Sequence, residues 1–143
     1  MSDDLHGYYI EDLSPGMKAS YARTVTDADI VIFAGVTGDD NPVHLNREFA
    51  EATMFKSRIA HGMLSAGYIS TVVGTRLPGA GAIYVGQTLK FKAPVRVGDT
   101  VVTEATVKEV IAAKRRVIVE TICRVGDTVV VEGEATLMVD SKG

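Results

Sequence analysis

Asp39 and His44 stand five residues apart in a stretch that reads Gly38-Asp39-Asp40-Asn41-Pro42-Val43-His44-Leu45-Asn46-Arg47-Glu48-Phe49. A carboxylate and an imidazole aimed at one point can hold a water and take its proton, provided that the chain between them is rigid. Asn41-Pro42 is a turn signal, and the residue before a proline is pushed out of the helical region. The stretch is therefore expected as a loop with fixed kinks and not as a helix. A second stretch, Ala60-His61-Gly62-Met63, opens a long run of small and apolar residues. The first N–H groups of a helix lack partners within it and can hold a developing oxyanion. Water activation beside an oxyanion site is what adding water to an unsaturated thioester requires.

The elements that must position these groups follow from pattern and punctuation. Met17 to Val25 alternates as a strand. Thr26 is a candidate N-cap with Asp27 and Asp29 in the first helical turn, where carboxylates suit the dipole. Ile30, Phe33, Ala34 and Thr37 form a helical stripe ending at Gly38, a typical C-terminal residue, so Asp39 falls just past a helix end. Asn46 is positioned to cap a short helix through Ala52. His61 to Arg76 is the longest helical candidate. Its Gly62, Ala66, Ser70 and Gly74 recur every fourth residue and share one face, narrow enough for close approach to another backbone. Met63, Leu64, Tyr68, Ile69, Val72 and Val73 cover most of the rest, the mark of a buried helix. Four strands are expected after it: Ala82 to Lys92, Thr100 to Val110, Arg115 to Val125, and Thr128 to Val139, with a hairpin at Gly126-Asp127. Turn-length connections make these antiparallel neighbours. The fold class is α+β, a single domain over residues 1–143 in which one curved antiparallel sheet covers one long helix, with residues 1–7 frayed.

With 143 residues, 46% hydrophobic and 23% charged, the chain is long enough to bury roughly 70% of its unfolded surface without staples. A net charge of −3 argues against nucleic acid as the main partner. Cys123 is the only cysteine, so no internal disulfide can form, and its place in an apolar run reads as a buried strand position. No secretory signal or membrane-crossing apolar run is visible, and a cytoplasmic location is expected.

Four segments together carry a resemblance. Gly38-Asp39-Asp40-Asn41-Pro42-Val43-His44, Ala60-His61-Gly62-Met63, Gly86-Gln87-Thr88-Leu89-Lys90-Phe91 and Pro94-Val95-Arg96-Val97-Gly98-Asp99 closely resemble the MaoC-like (R)-specific enoyl-CoA hydratases, over roughly residues 8 to 139. The resemblance implies the hot-dog fold and the reversible syn hydration of a trans-2-enoyl-CoA, of short chain, to an (R)-3-hydroxyacyl-CoA. It places the catalytic pair on Asp39 and His44, with Asp39 as base, and the thioester-carbonyl donor on the Gly62 N–H. Asn41 matches a structural asparagine of the catalytic loop, and Ser70 a serine facing the catalytic carboxylate. Val73 and Thr136 fall where the family sets acyl length. It further implies a homodimer, an acyl-CoA substrate, no other cofactor, and no membrane or nucleic-acid partner.

Other chemistries fit less well. Asp39, Asp40, His44 and His61 match no common zinc spacing, and no metal is expected. Gly79-Ala80-Gly81 lacks the strand before and helix after it that a dinucleotide loop needs. Gly62-Met63-Leu64-Ser65-Ala66-Gly67 has one residue too many before the serine for a nucleophile elbow. His61 reads as a packing histidine and His6 as part of the frayed end. Lys90, Lys92 and Arg96 read as a solvated strand face, with coenzyme A phosphates as their other use. The alternatives in function are a dehydratase or hydratase of an acyl-carrier-protein thioester or of a branched or dicarboxylic acyl thioester, and a non-catalytic hot-dog binding module. Loss of Asp39 or His44 would have favoured the last.

Overall fold

The computed structural model describes residues 3–143. The elements that matter for the site are β1 (Lys18–Thr24), α1 (Asp27–Thr37), α2 (Pro42–Leu45), α3 (Arg47–Glu51), α4 (Gly62–Thr75), β2 (Ile83–Gln87), β3 (Lys90–Phe91), β4 (Thr100–Ile111), β5 (Arg116–Val125) and β6 (Thr128–Met138). The local signals act as their chemistry demands. The Thr26 side chain accepts from the Asp29 N–H, while the Asp29 carboxylate accepts from the Thr26 N–H, a reciprocal cap that starts α1. Gly38 ends α1 in the left-handed region at φ 82°, where a side chain would be strained.

The six strands form one antiparallel sheet in the order β1-β4-β5-β6-β2, with β3 also paired to β6. α4 lies across β1, β4, β5 and β6. Its Ile69, Val72 and Val73 are fully buried. Towards its C-terminal end, Val72, Val73 and Leu77 join Val107, Val117, Val119 and Leu137. Towards its N-terminal end, Tyr68 and Ile69 join Val25, Ile30, Val101, Cys123 and Val130. The alternating burial of β4, β5 and β6 thus presents one face to α4 and one away from it. The expected sheet around a central helix is what the chain adopts, and Cys123 is buried on a strand as its sequence context suggests.

Several expectations need correction. The Gly38–Phe49 stretch is not all loop: Pro42 sits at the first position of the single-turn helix α2, which its fixed φ favours, and α3 follows at once. The run from Ala82 to Lys92 is two strands, because the backbone breaks at Thr88 and Leu89. There the Thr88 N–H donates to the Glu134 carbonyl, and the Thr88 hydroxyl accepts from the Glu134 N–H. The chain from β3 to β4 is short, yet these strands are not neighbours, since β3 pairs with β6 and β4 with β1. Nor is α4 buried all round. Nothing lies within 4 Å of where a side chain on Gly74, or on neighbouring Gly67, would begin, so beyond Gly62 the small-residue face is open within this chain.

The frayed N-terminus is also revised. Met1 and Ser2 lie outside the described residues, but His6 is not loose. Its ring stacks on Tyr9 at 4.0 Å and its Nε2 lies 2.9 Å from Asp140 Oδ2. The Gly7 N–H donates to the Ala80 carbonyl at 2.9 Å.

The break at Thr88 makes one glycine indispensable. A Cβ on Gly133 would overlap the Thr88 carbonyl, which is backbone and cannot swing aside. Gly133→Ala is expected to cost about 1–3 kcal/mol of stability, the usual penalty of overpacking. Gly74→Ala meets nothing within this chain and is expected to cost less. Urea unfolding midpoints of the two variants check the order.

Candidate active site

The site is built where three segments meet: the end of α1 with the turn after it, α2, and the approach to α4. Past Gly38 the chain is pinned by a short relay. The Thr37 hydroxyl donates to the Phe33 carbonyl at 2.7 Å and accepts the Asp39 N–H at 3.1 Å. The Asn41 side chain then caps α2 by accepting the Val43 N–H at 3.2 Å. Its role here is therefore to shape the turn that separates Asp39 from His44.

His44 is 8% exposed. Its Nδ1 lies 2.8 Å from the Ile59 carbonyl, which can only accept, so Nδ1 carries the proton. In the neutral ring Nε2 then keeps a lone pair. From the other side, Arg58 Nε donates to the His44 carbonyl at 2.7 Å while its Nη2 pairs with Asp27 at 2.7 Å, tying α2 to the first turn of α1. His61 lies against the His44 ring, with centroids 3.9 Å apart and 30° between planes. Its Nε2 donates to the Asp39 carbonyl at 2.9 Å. Side-chain nitrogen or oxygen atoms of Asp39, His44 and His61 all lie within 4.8 Å of one another. The sequence pair is thus brought together, and a third titratable group joins it.

Burial is the chief influence on His44 and lowers its pKa. The Ile59 hydrogen bond opposes that, His61 adds to the lowering, and the Asp39 carboxylate opposes it. His44 is thereby kept as a neutral acceptor at pH 7. A divalent ion would need lone pairs that converge. His44 Nδ1 and His61 Nε2 are both committed to carbonyls, which leaves each ring one nitrogen with a lone pair. The stacked rings orient each other through these two bonds.

Gly62 follows His61 as the first residue of α4, so its N–H has no partner within the helix. It lines an apolar cavity of about 490 Å³ together with Met54, Phe55, Phe91, Val95 and Val131. A Cβ on Gly62 would lie 2.6 Å from ring carbons of Phe91. The absent side chain therefore makes room for the Phe91 ring, and the sequence offers no signal for that contact. Ser70 is further along α4 and lines a second cavity, of about 410 Å³, with Phe33, Met63, Tyr84 and Val85. Met63 borders both cavities. Val73 is fully buried in the core and Thr136 sits on β6 opposite Gly86; neither lines these two cavities. Of the basic residues, Lys92 lines the first cavity and pairs with Glu132 at 3.5 Å, and Arg96 donates to Ser57 at 2.9 Å. Phe33, Arg58 and His61 are the contributors that sequence reasoning passed over or read as packing.

Residues 13–130 match the family of the MaoC like domain. The chain is 56% identical over 142 residues to the (R)-specific enoyl-CoA hydratase of Rhodospirillum rubrum, covering 99% of both chains. It is 48% identical to the 3-hydroxybutyryl-CoA dehydratase of Methylorubrum extorquens, covering 99% of this chain and 90% of that one. Among solved structures it resembles the unliganded R-hydratase of Pseudomonas aeruginosa, with a TM-score of 0.88 and 44% identity over 94% of this chain and 86% of that one.

The lowered pKa of His44 has a measurable sign. The unfolded imidazole takes a proton near its ordinary value of about 6.5, while the folded one resists until lower pH. Stability contributed by the neutral ring is present above about pH 6.5 and is lost as pH falls through the folded value. An NMR titration of the folded protein is expected to place the His44 midpoint below that of a free imidazole.

Proposed function

The chain belongs to the MaoC-like domain family, and on that premise we propose that it is an (R)-specific enoyl-CoA hydratase, a hydro-lyase that interconverts trans-2-enoyl-CoA and (R)-3-hydroxyacyl-CoA. The observation that carries the reading is the convergence of the Asp39 and His44 side chains within 4.8 Å, beside the N–H end of the central helix α4. In hydration, Asp39 takes a proton from a water whose other hydrogen is held by the bare Nε2 of His44. The water oxygen bonds to C3, the C2–C3 double-bond pair moves towards the thioester, and the Gly62 N–H stabilises the charge on its oxygen. C2 then receives a proton from the pair on the same face. The two groups titrate together, so the pair and not one residue is the acid and base. The reverse path expels water from the hydroxyacyl thioester.

Among the supporting residues, Asn41 shapes the turn and Ser70, which lines the second cavity, is assigned to the side of the catalytic carboxylate, whereas Val73 and Thr136 line neither cavity and are given no part in holding the acyl chain. A short acyl chain is favoured by the 3-hydroxybutyryl-CoA named for one relative. The reaction needs no cofactor beyond the coenzyme A of its substrate, and no nucleic-acid or membrane partner. No helix among the described residues is long and apolar enough to cross a membrane, and we place the enzyme in the cytoplasm.

Asp39→Asn and His44→Ala are each expected to lower kcat by about 10²–10⁴-fold, the usual cost of losing a general base. The turn stays capped by Asn41, so the melting temperature of Asp39→Asn should move little. Loss of enoyl absorbance from crotonyl-CoA, then from longer chains, measures both, and chiral analysis of the product tests the (R) assignment. Near-normal turnover in either variant would remove this mechanism.

A homodimer is the assembly this reading requires. β2 is a sheet edge whose Ile83 and Val85 are 54% and 53% exposed, and the open small-residue face of α4 lies across the second cavity from it. An apolar edge of this kind is hidden by pairing with its own copy across a two-fold axis. Sedimentation equilibrium at micromolar concentration is expected to give twice the chain mass. A fully active monomer would count against it.

A further inference from the structure

His61 is 2% exposed, and its ring lies between Phe33, at a centroid distance of 4.6 Å, and His44, at 3.9 Å. Its Nε2 must carry a proton, because its partner is the Asp39 carbonyl and a carbonyl only accepts. Its Nδ1 is buried with no hydrogen-bond partner. A proton on Nδ1 would be a sealed donor with nothing to receive it, so the form this cage holds is the neutral ring protonated on Nε2. A residue needed only for volume would not leave a nitrogen orphaned, since phenylalanine or leucine fills such a space without that cost.

The place of His61 in the chain gives the bond its meaning. His61 is covalently joined to Gly62, and Gly62 starts α4. Asp39 comes 22 residues earlier, past the end of α1. One hydrogen bond therefore spans the gap between the backbone that bears the carboxylate and the backbone that bears the N–H for the thioester oxygen. The stacked face of the same ring sets the plane of His44.

We propose that His61 is a positioning residue for the hydration reaction: held as the neutral Nε2–H form, it fixes the distance between the Asp39–His44 pair and the Gly62 N–H. This rests on the hydratase reading above. His61 also borders the first cavity, but its Nε2 is bound to the Asp39 carbonyl and its Nδ1 is buried, so it offers the substrate neither nitrogen. It acts through Asp39 and His44, whose placement relative to C3 and the carbonyl oxygen must match the length of the enoyl group. Misplacement of such groups by about 1 Å costs on the order of 10²-fold in rate.

Two substitutions separate positioning from packing. His61→Phe keeps a stacked ring and loses the donor. His61→Gln loses the ring and keeps an N–H at the reach of Nε2. Positioning predicts that His61→Phe lowers kcat for crotonyl-CoA by on the order of 10²-fold with KM little changed, and that His61→Gln recovers at least a tenfold part of that loss. Packing predicts the reverse order, with phenylalanine the better replacement. A His61→Phe enzyme as active as the parent, or more active than His61→Gln, overturns the proposal. Nitrogen-15 NMR of the unmodified protein, at mildly alkaline pH, tests the proposal even if both variants fail to fold. A His61 ring protonated on Nδ1, or on both nitrogens, overturns the proposal, and the Nε2–H form supports it. If the unmodified protein hydrates no enoyl thioester at all, the hydratase reading fails, and the NMR result still judges the clamp on its own.

Discussion

A buried imidazole must place each N–H on an acceptor, and the arrangement of the active site follows from that requirement. His44 gives its Nδ1 proton to Ile59 and His61 gives its Nε2 proton to Asp39. Each acceptor is a backbone carbonyl in a segment remote from the donor along the chain. The rings cannot turn without leaving a donor unpaired in an apolar setting, which costs more than the bond itself contributes. The surrounding backbone is held by the same two bonds, so side chains and loops fix each other.

The sheet and the central helix supply the immovable reference for this network. α4 is anchored by Ile69, Val72 and Val73, all without solvent contact, against strands that alternate inward and outward. Its first turn is therefore located by the core, and Gly62 and His61 are located with it. On the approach to α4, Ala60 donates to the Val95 carbonyl at 2.7 Å, while Ile59 and Arg96 form a bridge. The rim of the apolar cavity is thus continuous with the sheet, and its floor includes Val131 of β6.

Much of this was legible in the residues. The cap at Thr26, the stop at Gly38, the long helix and the β5–β6 hairpin at Gly126-Asp127 all rest on short-range chemistry, and each lies within a residue or two of its expected place. Asp39 and His44 stand out because they sit on one short, turn-bounded stretch, but it is the resemblance to the MaoC-like hydratases that implies they act as a pair. What was not legible depends on contacts between distant segments. His61 reads as packing until the Asp39 carbonyl is seen beside it. Nothing in the sequence signals that the Phe91 ring fills the room beside Gly62. The split of the Ala82–Lys92 run depends on Glu134 and Gly133, more than forty positions from Thr88. The helix face of Gly62, Ala66, Ser70 and Gly74 reads as a tight contact because spacing reports which residues share a face, but not whether anything opposes it, and at Gly74 nothing does within this chain.

The two ends of the chain are stitched side by side. Besides the His6–Asp140 pair, Ile10 donates its N–H to the Asp140 carbonyl at 2.8 Å, Ser141 bonds Glu11 at 2.9 Å, and Lys142 pairs with Asp12 at 2.6 Å. Topologically the polypeptide is already close to a ring. A short covalent link between these segments would cost little loop entropy, and the chain could then be opened elsewhere, at the exposed Gly126-Asp127 hairpin, without moving any residue of the active site. The order in which the strands are synthesised is therefore separable from the order in which they pair.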